Sequence, residues 1–536
     1  MENPESTHPV KPARFPTVRR LGRALFSRKM LYAALALLTL VMLLYAVENF
    51  RGARAWENYR QDAETRGLKL DWTAHIPPPI PDAENGANTP LIQLWFPKPM
   101  PDDTGRWPTN YYGASSLLTV HRRTKGPGSQ DDRFLTDMVA WQQAFALRLE
   151  PHSKKEKNET HSHDPIREPQ EQATAARAVL AELQPYEPAL GELRAMSLRR
   201  KVRYPIDYKT DEPFAIRLPH LARMKGVATV LNLRACAELA AGQTNEAFES
   251  VKLMLWVCDS FEEELFLISQ LVRIASQQIT TQPVWEGLTR HQWSEPQLKE
   301  LQERFLRVNF IGALDRTLAD ERAGGIAAVD WVRRKRNPAE ALAMFGSDQL
   351  PPNNLGGQLV GWLIPSGWFQ FEKVSLGTFM DRMTAGGWEM PERIIHPRVM
   401  DENTRQFTEQ LQRGPLDAFR HHYIFARMIL PALEKTSVKF ARAQCTAHQA
   451  ALACALERFY LAEKKYPAAL AELVPKYLAK VPHEVVSSEP MRYRAENGGY
   501  VLWSAGWDGQ DDGGIFLRAA KDGKPEHGDW VWRSAP

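Results

Sequence analysis

Among its 536 residues the chain has four cysteines and one long apolar run. A single run excludes a polytopic membrane protein. Hydrophobic residues at 43% and charged residues at 25% match ordinary globular chains, which excludes a disordered or collagen-like protein. The usual catalytic strings are also missing: there is no H-E-x-x-H, no phosphate-binding G-x-x-x-x-G-K-[S/T], no G-x-S-x-G and no dinucleotide glycine fingerprint on a strand. No CxxC or Cys/His spacing marks a zinc site. Surplus charge is scarce as well. Lys11, Arg14, Arg19, Arg20, Arg23, Arg28 and Lys29 stand against Glu2 and Glu5, a net of +5 in a chain whose total is +4. The remaining chain therefore carries −1, which argues against a nucleic-acid surface.

The apolar run covers 18 residues, from Met30 to Val47. At about 1.5 Å per residue it reaches roughly 27 Å, enough to cross the hydrocarbon layer of a bilayer. Seven basic residues precede it, and Glu48 with the mixed charges of Arg51, Arg54, Glu57 and Arg60 follows. The positive-inside rule places the tail in the cytoplasm and everything after Glu48 outside. A cleaved signal peptide is the rival reading. Its apolar region is shorter, about 7–15 residues, and ends in small residues. Here the run ends Leu44-Tyr45-Ala46-Val47, so a retained anchor is expected.

The cysteines then lie in an oxidising compartment. Cys445 and Cys454 are nine apart in one helix, about 13 Å along its axis and too far to bridge. Cys236 and Cys258 fall on successive helices joined at Gly242, six residues before it and sixteen after. That offset leaves about 15 Å of axial mismatch, so free, buried thiols are expected.

Composition divides the chain into a basic tail (1–29), the anchor (30–47), a juxtamembrane helix (48–70), a Pro-rich strap and polar loop (71–173), a helical domain (174–431) and a C-terminal module (432–536). The run Pro77-Pro78-Pro79-Ile80-Pro81 favours extended chain. Trp95, Phe96 and Trp107 are expected to pin it to the next domain. His152, His161 and His163 lie in the polar loop, which is too flexible for a metal cage.

Leu218, Leu221, Met224, Val227 and Leu231 form an amphipathic stripe. Gly242 ends that helix, and Thr244 or Asn245 is expected to cap the next, giving one tetratricopeptide-like hairpin without a repeat. Helices are expected at 261–281, 294–308, 311–336, 401–430 and 432–465, with a Gly- and Trp-rich irregular excursion at 346–395. The last helix carries a seam of Cys445, His448, Leu452, Ala455, Phe459 and Ala462, in which His448 reads as a hydrogen-bonded core residue. Beyond Pro490 the pattern changes to strands at 491–495, 500–505, 515–518 and 530–533. Asp320-Glu321-Arg322 and His421-His422 are the remaining chemical candidates, and both read as structural. The fold class expected is mainly α, a helical-hairpin domain with an N-terminal transmembrane helix and a small C-terminal α/β module of antiparallel strands.

The order Ala455-Leu456-Glu457-Arg458-Phe459-Tyr460, Lys465-Tyr466-Pro467, Leu470, Leu473-Val474-Pro475, Val481-Pro482, Tyr493 and Ser504-Ala505-Gly506-Trp507-Asp508-Gly509 resembles the C-terminal part of type II secretion major pseudopilins. The resemblance covers about 80 residues of the chain. It implies a helix ending at the Tyr-Pro step, a small antiparallel sheet, and a calcium site made by Asp508, Asp511 and Asp512 with Ser504 nearby. Read from its residues alone, this Asp- and Gly-rich loop is a solvated hairpin turn with no cofactor. The pseudopilin cleavage motif is absent before Met30, and Pro482-His483-Glu484-Val485-Val486 replaces the family's PxDPxG segment. The whole chain resembles uncharacterised single-pass membrane proteins of planctomycete and verrucomicrobial type, which implies no activity. Together these features give the expectation of a scaffold or protein-interaction protein in the bacterial inner membrane. It would be held in the bilayer by residues 30–47, with its bulk periplasmic and a protein partner in the envelope. An envelope hydrolase with a noncontiguous acidic site, or an accessory protein of a secretion or pilus-like system, is the alternative.

Overall fold

A computed structural model describes residues 28–96, 134–148, 169–199, 201–209, 213–335, 363–433, 435–515 and 528–534. The basic tail before Arg28, Trp107, the three histidines of the polar loop and residues 346–362 lie outside the described residues.

Helix α1 (Arg28–Thr65) is one unbroken helix. Its apolar half is exposed except at half-buried Tyr45, and the part beyond Glu48 packs on the body. It ends five residues before the expected limit at 70, where Gly67 turns left-handed (φ 80°). Residues 71–96 follow, with a 3-10 turn at Trp72–Ala74. Asp71 accepts the Thr73 amide at 2.9 Å, and Thr89 caps the short helix α2 (Pro90–Trp95). Trp95 is fully buried, in one cluster with Leu193, Met224, Leu231 and Phe261.

Helices α3 (Met138–Arg148), α4 (Pro169–Glu182) and α5 (Glu187–Ser197) lead to the hairpin α6 (His220–Ala240) and α7 (Thr244–Asp259). Gly242 makes the turn at φ 78°, with Gln243 N donating to Glu238 O at 2.7 Å. The cap differs from expectation: Gln243 occupies that position, and Thr244 is already helical. Next come α8 (Leu267–Thr289), α9 (Glu295–Arg307) and α10 (Phe310–Lys335). α8 begins six residues later than 261 and runs through Pro283, beyond the expected end at 281. Its start is set from outside, because the Glu321 carboxylate of α10 accepts the Leu267 amide at 2.9 Å. The cysteines are free and buried, as expected.

The irregular excursion expected at 346–395 is corrected where it is described. Residues Ser366–Thr384 form a 19-residue helix, α11, packed along α1. Its glycines are contact points, not helix breakers. A Cβ on Gly367 would overlap the Glu48 backbone, and one on Gly377 would overlap the Tyr59 ring. A two-stranded ribbon follows, β1 (Trp388–Glu389) with β2 (Ile394–Ile395). The single helix expected at 401–430 is instead three: α12 (Pro397–Leu411), α13 (Pro415–Arg420) and α14 (Ile424–Ile429). Left-handed residues Gly414 (φ 108°) and His422 (φ 56°) break it.

Helix α15 (Thr436–Glu463) is buried on all sides from Phe440 to Leu456, against α8, α9 and α10. Its alanines let those helices approach closely. The seam residues Cys445 through Phe459 are buried as expected, but Ala462 is exposed. Lys464 ends the helix in the left-handed region, a 3-10 turn covers Leu470–Leu473, and three antiparallel strands follow. These are β3 (Arg492–Glu496), β4 (Gly499–Ser504) and β5 (Trp530–Arg533), in the order β3-β4-β5. Gln449 Nε2 donates to Trp530 O at 2.7 Å, tying the sheet to α15. Ile515 lies outside any strand, and the rest of the expected 515–518 strand is not among the described residues.

Candidate functional site

The acidic loop leaves β4 at Ser504. Two of the three carboxylates that the resemblance singles out, Asp508 and Asp511, are bonded to the protein itself. Asp508 accepts the amides of Gln510 (3.1 Å) and Gly528 (3.2 Å). Asp511 accepts from Trp503 Nε1 (2.9 Å) and the Gly513 amide (3.0 Å), and it pairs with Arg492 at 2.9 Å. These bonds, led by the indole, hold its carboxyl below the usual range. The Asp512 amide donates to Asp529 at 3.3 Å.

Asp529 escaped the sequence reading, and it organises the loop. Fully buried, it accepts the Asp512 and Gly514 amides, the latter at 2.7 Å, and burial pushes its carboxyl up. Its hidden cue was a lone acid directly before the Trp-Val-Trp strand. The Ser504 hydroxyl is buried without a hydrogen-bond partner. Among the described residues no three His, Cys, Asp or Glu side chains gather in a metal-holding group. A calcium ion here would have to draw Asp511 away from Arg492 and Trp503. Calorimetry of the full chain against an Asp511→Ala, Asp512→Ala variant decides the point. Calcium heat lost in the variant supports a site, and identical traces leave a turn.

A second polar group joins the helices to the C-terminal module. His291 Nδ1 lies 2.7 Å from Glu457 Oε1, and Tyr466 donates to Glu457 Oε2 at 3.2 Å. Glu457 is almost fully buried, and burial raises its pKa. His291 sits at φ 50° and stacks on Tyr460 with centroids 4.4 Å apart. Thr289, Tyr500 and Ser534 complete a cavity of about 40 Å³. A water needs roughly 10–15 Å³ measured this way, so the space takes a few waters. The residues are 166 apart, and no linear motif could have joined them.

The other chemical candidates each meet partners within the protein. Asp320 meets His75 Nδ1 at 2.7 Å, and His75 Nε2 meets Lys69 O at 3.0 Å. The hydrogen bond to Asp320 raises the His75 pKa, and burial raises that of Asp320, so the two share a proton across this contact. Arg322 pairs with Asp381 at 2.9 Å. Glu321 is pushed by burial up to about 7. His421 is exposed beside Asp417, and His422 stacks on Phe371 at 5.0 Å, so the two do not share a ligand. His448 is buried, donating through Nδ1 to His483 O (3.1 Å) and accepting at Nε2 from Gln444 (3.0 Å). Burial lowers its pKa to about 4 and keeps it neutral.

The most extensive constellation lies where α1 meets the body. α11 runs alongside α1 in the same direction. Asn49 Oδ1 accepts the Gly367 amide at 2.8 Å, and Trp368 Nε1 donates to Glu48 at 3.3 Å. Gly52 crosses Gly367 so closely that a Cβ on either would strike backbone. One turn after another, Lys373 lies 3.9 Å over the Trp56 ring and pairs with Asp330 at 3.1 Å. Tyr59 and Arg66 both donate to Asp381, at 3.1 and 2.9 Å. Asp381 also holds Arg322 of α10, so α1, α10 and α11 share one half-buried carboxylate. This arrangement can transmit position and force. No protein family, no curated protein and no solved structure matches this chain.

Proposed function

We propose that the chain is a single-pass, membrane-anchored scaffold of the bacterial envelope, with its tail cytoplasmic and its body periplasmic. The observation that carries this reading is the unbroken helix α1. Its exposed apolar half is long enough to cross a bilayer, and its polar half is clamped by Gly52, Tyr59 and Arg66 to α11. An enzyme that needs only to stay near a membrane can hang on a flexible linker. A clamped helix fixes the body's height and orientation, which a scaffold requires. The seven basic residues before Met30 support the orientation. The pseudopilin-like ending and its acidic loop are proposed as the module that meets a protein partner. Crosslinking and pull-down from native membranes is the test. A stable partner crosslinked through residues 432–536 supports the scaffold; recovery of the chain alone, beside a C-terminal reporter active only in the cytoplasm, rejects both role and orientation.

A further inference from the structure

An apolar patch flanks the point where α1 leaves its apolar run. Leu363 is 69% exposed, Leu416 84% and Phe419 43%, and Phe50 of α1 itself is 66% exposed. Soluble surfaces carry such residues singly, but grouped ones mark a contact. Trp368 joins them, with its ring 5.1 Å from Phe419 and its indole N–H on Glu48. Leu416 and Phe419 are three apart on α13 and share a face.

Their height is fixed by α1. The Tyr45 hydroxyl donates to Leu363 O, placing Leu363 level with the end of the span. The apolar run ends at Val47. The headgroup layer adds about 5–7 Å beyond the hydrocarbon, or some four residues of helix. That layer therefore covers Glu48 to about Arg51, the level at which Trp368 and Phe419 stand. Tryptophan and other amphipathic rings are enriched at this depth. Arg413, exposed just before α13, and Arg420, exposed at its end, suit contact with lipid phosphates.

We propose that Leu363, Trp368, Leu416 and Phe419 are seated in the headgroup layer of the leaflet on the body's side, so that the protein grips lipid with its body as well as its span. This rests on the anchor reading above. The occupant is lipid because Leu363 is bonded to Tyr45 in the apolar run and Trp368, beside Phe419, to Glu48 directly after it.

The test uses the full chain in phosphatidylcholine–phosphatidylglycerol vesicles. An environment-sensitive fluorophore is placed on Leu416→Cys, Phe419→Cys, Leu37→Cys in the span, and Ile515→Cys on the far module. The buried native cysteines stay unlabelled, as the parent chain verifies. Positions 416 and 419 are expected to emit blue-shifted light and to be quenched by headgroup nitroxide lipids, while 515 is not. If 37 is quenched by deep nitroxides but 416 and 419 behave like 515, the inference fails and the anchor stands. If 37 is not quenched, both fail. Shielding of 416 and 419 that appears only at high protein-to-lipid ratio assigns the patch to a second copy and overturns the proposal.

Discussion

Replacing Gly52 by alanine is expected to loosen the body from its helix, although helix propensity alone favours the change by about 0.5–1 kcal/mol. The added methyl would strike the Gly367 carbonyl, which is backbone and cannot swing aside. Overpacking of this kind costs about 1–3 kcal/mol, so the net is a loss of up to roughly 2.5 kcal/mol. The readout is trypsin, which can cut at Arg51, Arg54 or Arg60 only when α1 opens. Where opening is fast relative to cleavage, the rate follows the open population, so about 1.4 kcal/mol gives tenfold faster release. Gly191 supplies the control. It lies inside α5 with open space around it, so Gly191→Ala should stabilise and leave the cleavage rate unchanged. Equal rates for both variants would show that the helices do not cross as described.

The second large effect lies at Glu372 on α11. Its buried carboxyl accepts the amides of Ile424 (3.1 Å) and Phe425 (3.0 Å), ordering the start of α14. Burial outweighs those bonds and pushes its pKa from 4.5 up to about 7. A raised carboxyl takes up a proton on folding. Its stabilising contribution is therefore complete below pH 4.5 and is lost as pH rises through about 7. Glu372→Gln keeps an acceptor oxygen and removes the charge. At pH 8 it should be more stable than the parent by about 1–3 kcal/mol, with the difference vanishing near pH 4.5. Denaturant titration at both pH values measures it, as a parent-minus-variant difference. That subtraction matters because His448, lowered to about 4, pulls the other way over pH 4–6.5. A variant weaker than the parent at pH 8 would mean that the ionised carboxylate is what orders α14.

The elements carried by periodicity were legible in the sequence. The apolar run, the α6–α7 hairpin, α9, α10, α15 and three of the four expected terminal strands fall within a few residues of their expected limits. What failed was glycine and proline. Gly367 and Gly377 read as breakers because a sequence does not show that another helix passes there, and Pro283 lies inside α8 because tertiary packing outweighs its missing amide. Conversely, 401–430 has helical periodicity throughout, yet Gly414 and the unforeseen left-handed His422 divide it. The mount was invisible for a related reason. Its pairs, such as Tyr59 with Asp381, stand 322 residues apart, and each partner alone looks like an ordinary surface residue. Asp529 and Glu372 were missed similarly: a buried acid shows its role only through the backbone amides it meets in the fold.

Hydrogen exchange across residues 44–66, with the full chain in a bilayer, tests the mount most directly. A continuous helix clamped to α11 predicts slow exchange from the span through Glu48, Gly52 and Tyr59 to about Ala63, in the same class as α11 itself. Exchange within seconds at residues 48–53, between a protected span and a protected α11, would reveal a hinge there and contradict a rigidly mounted body.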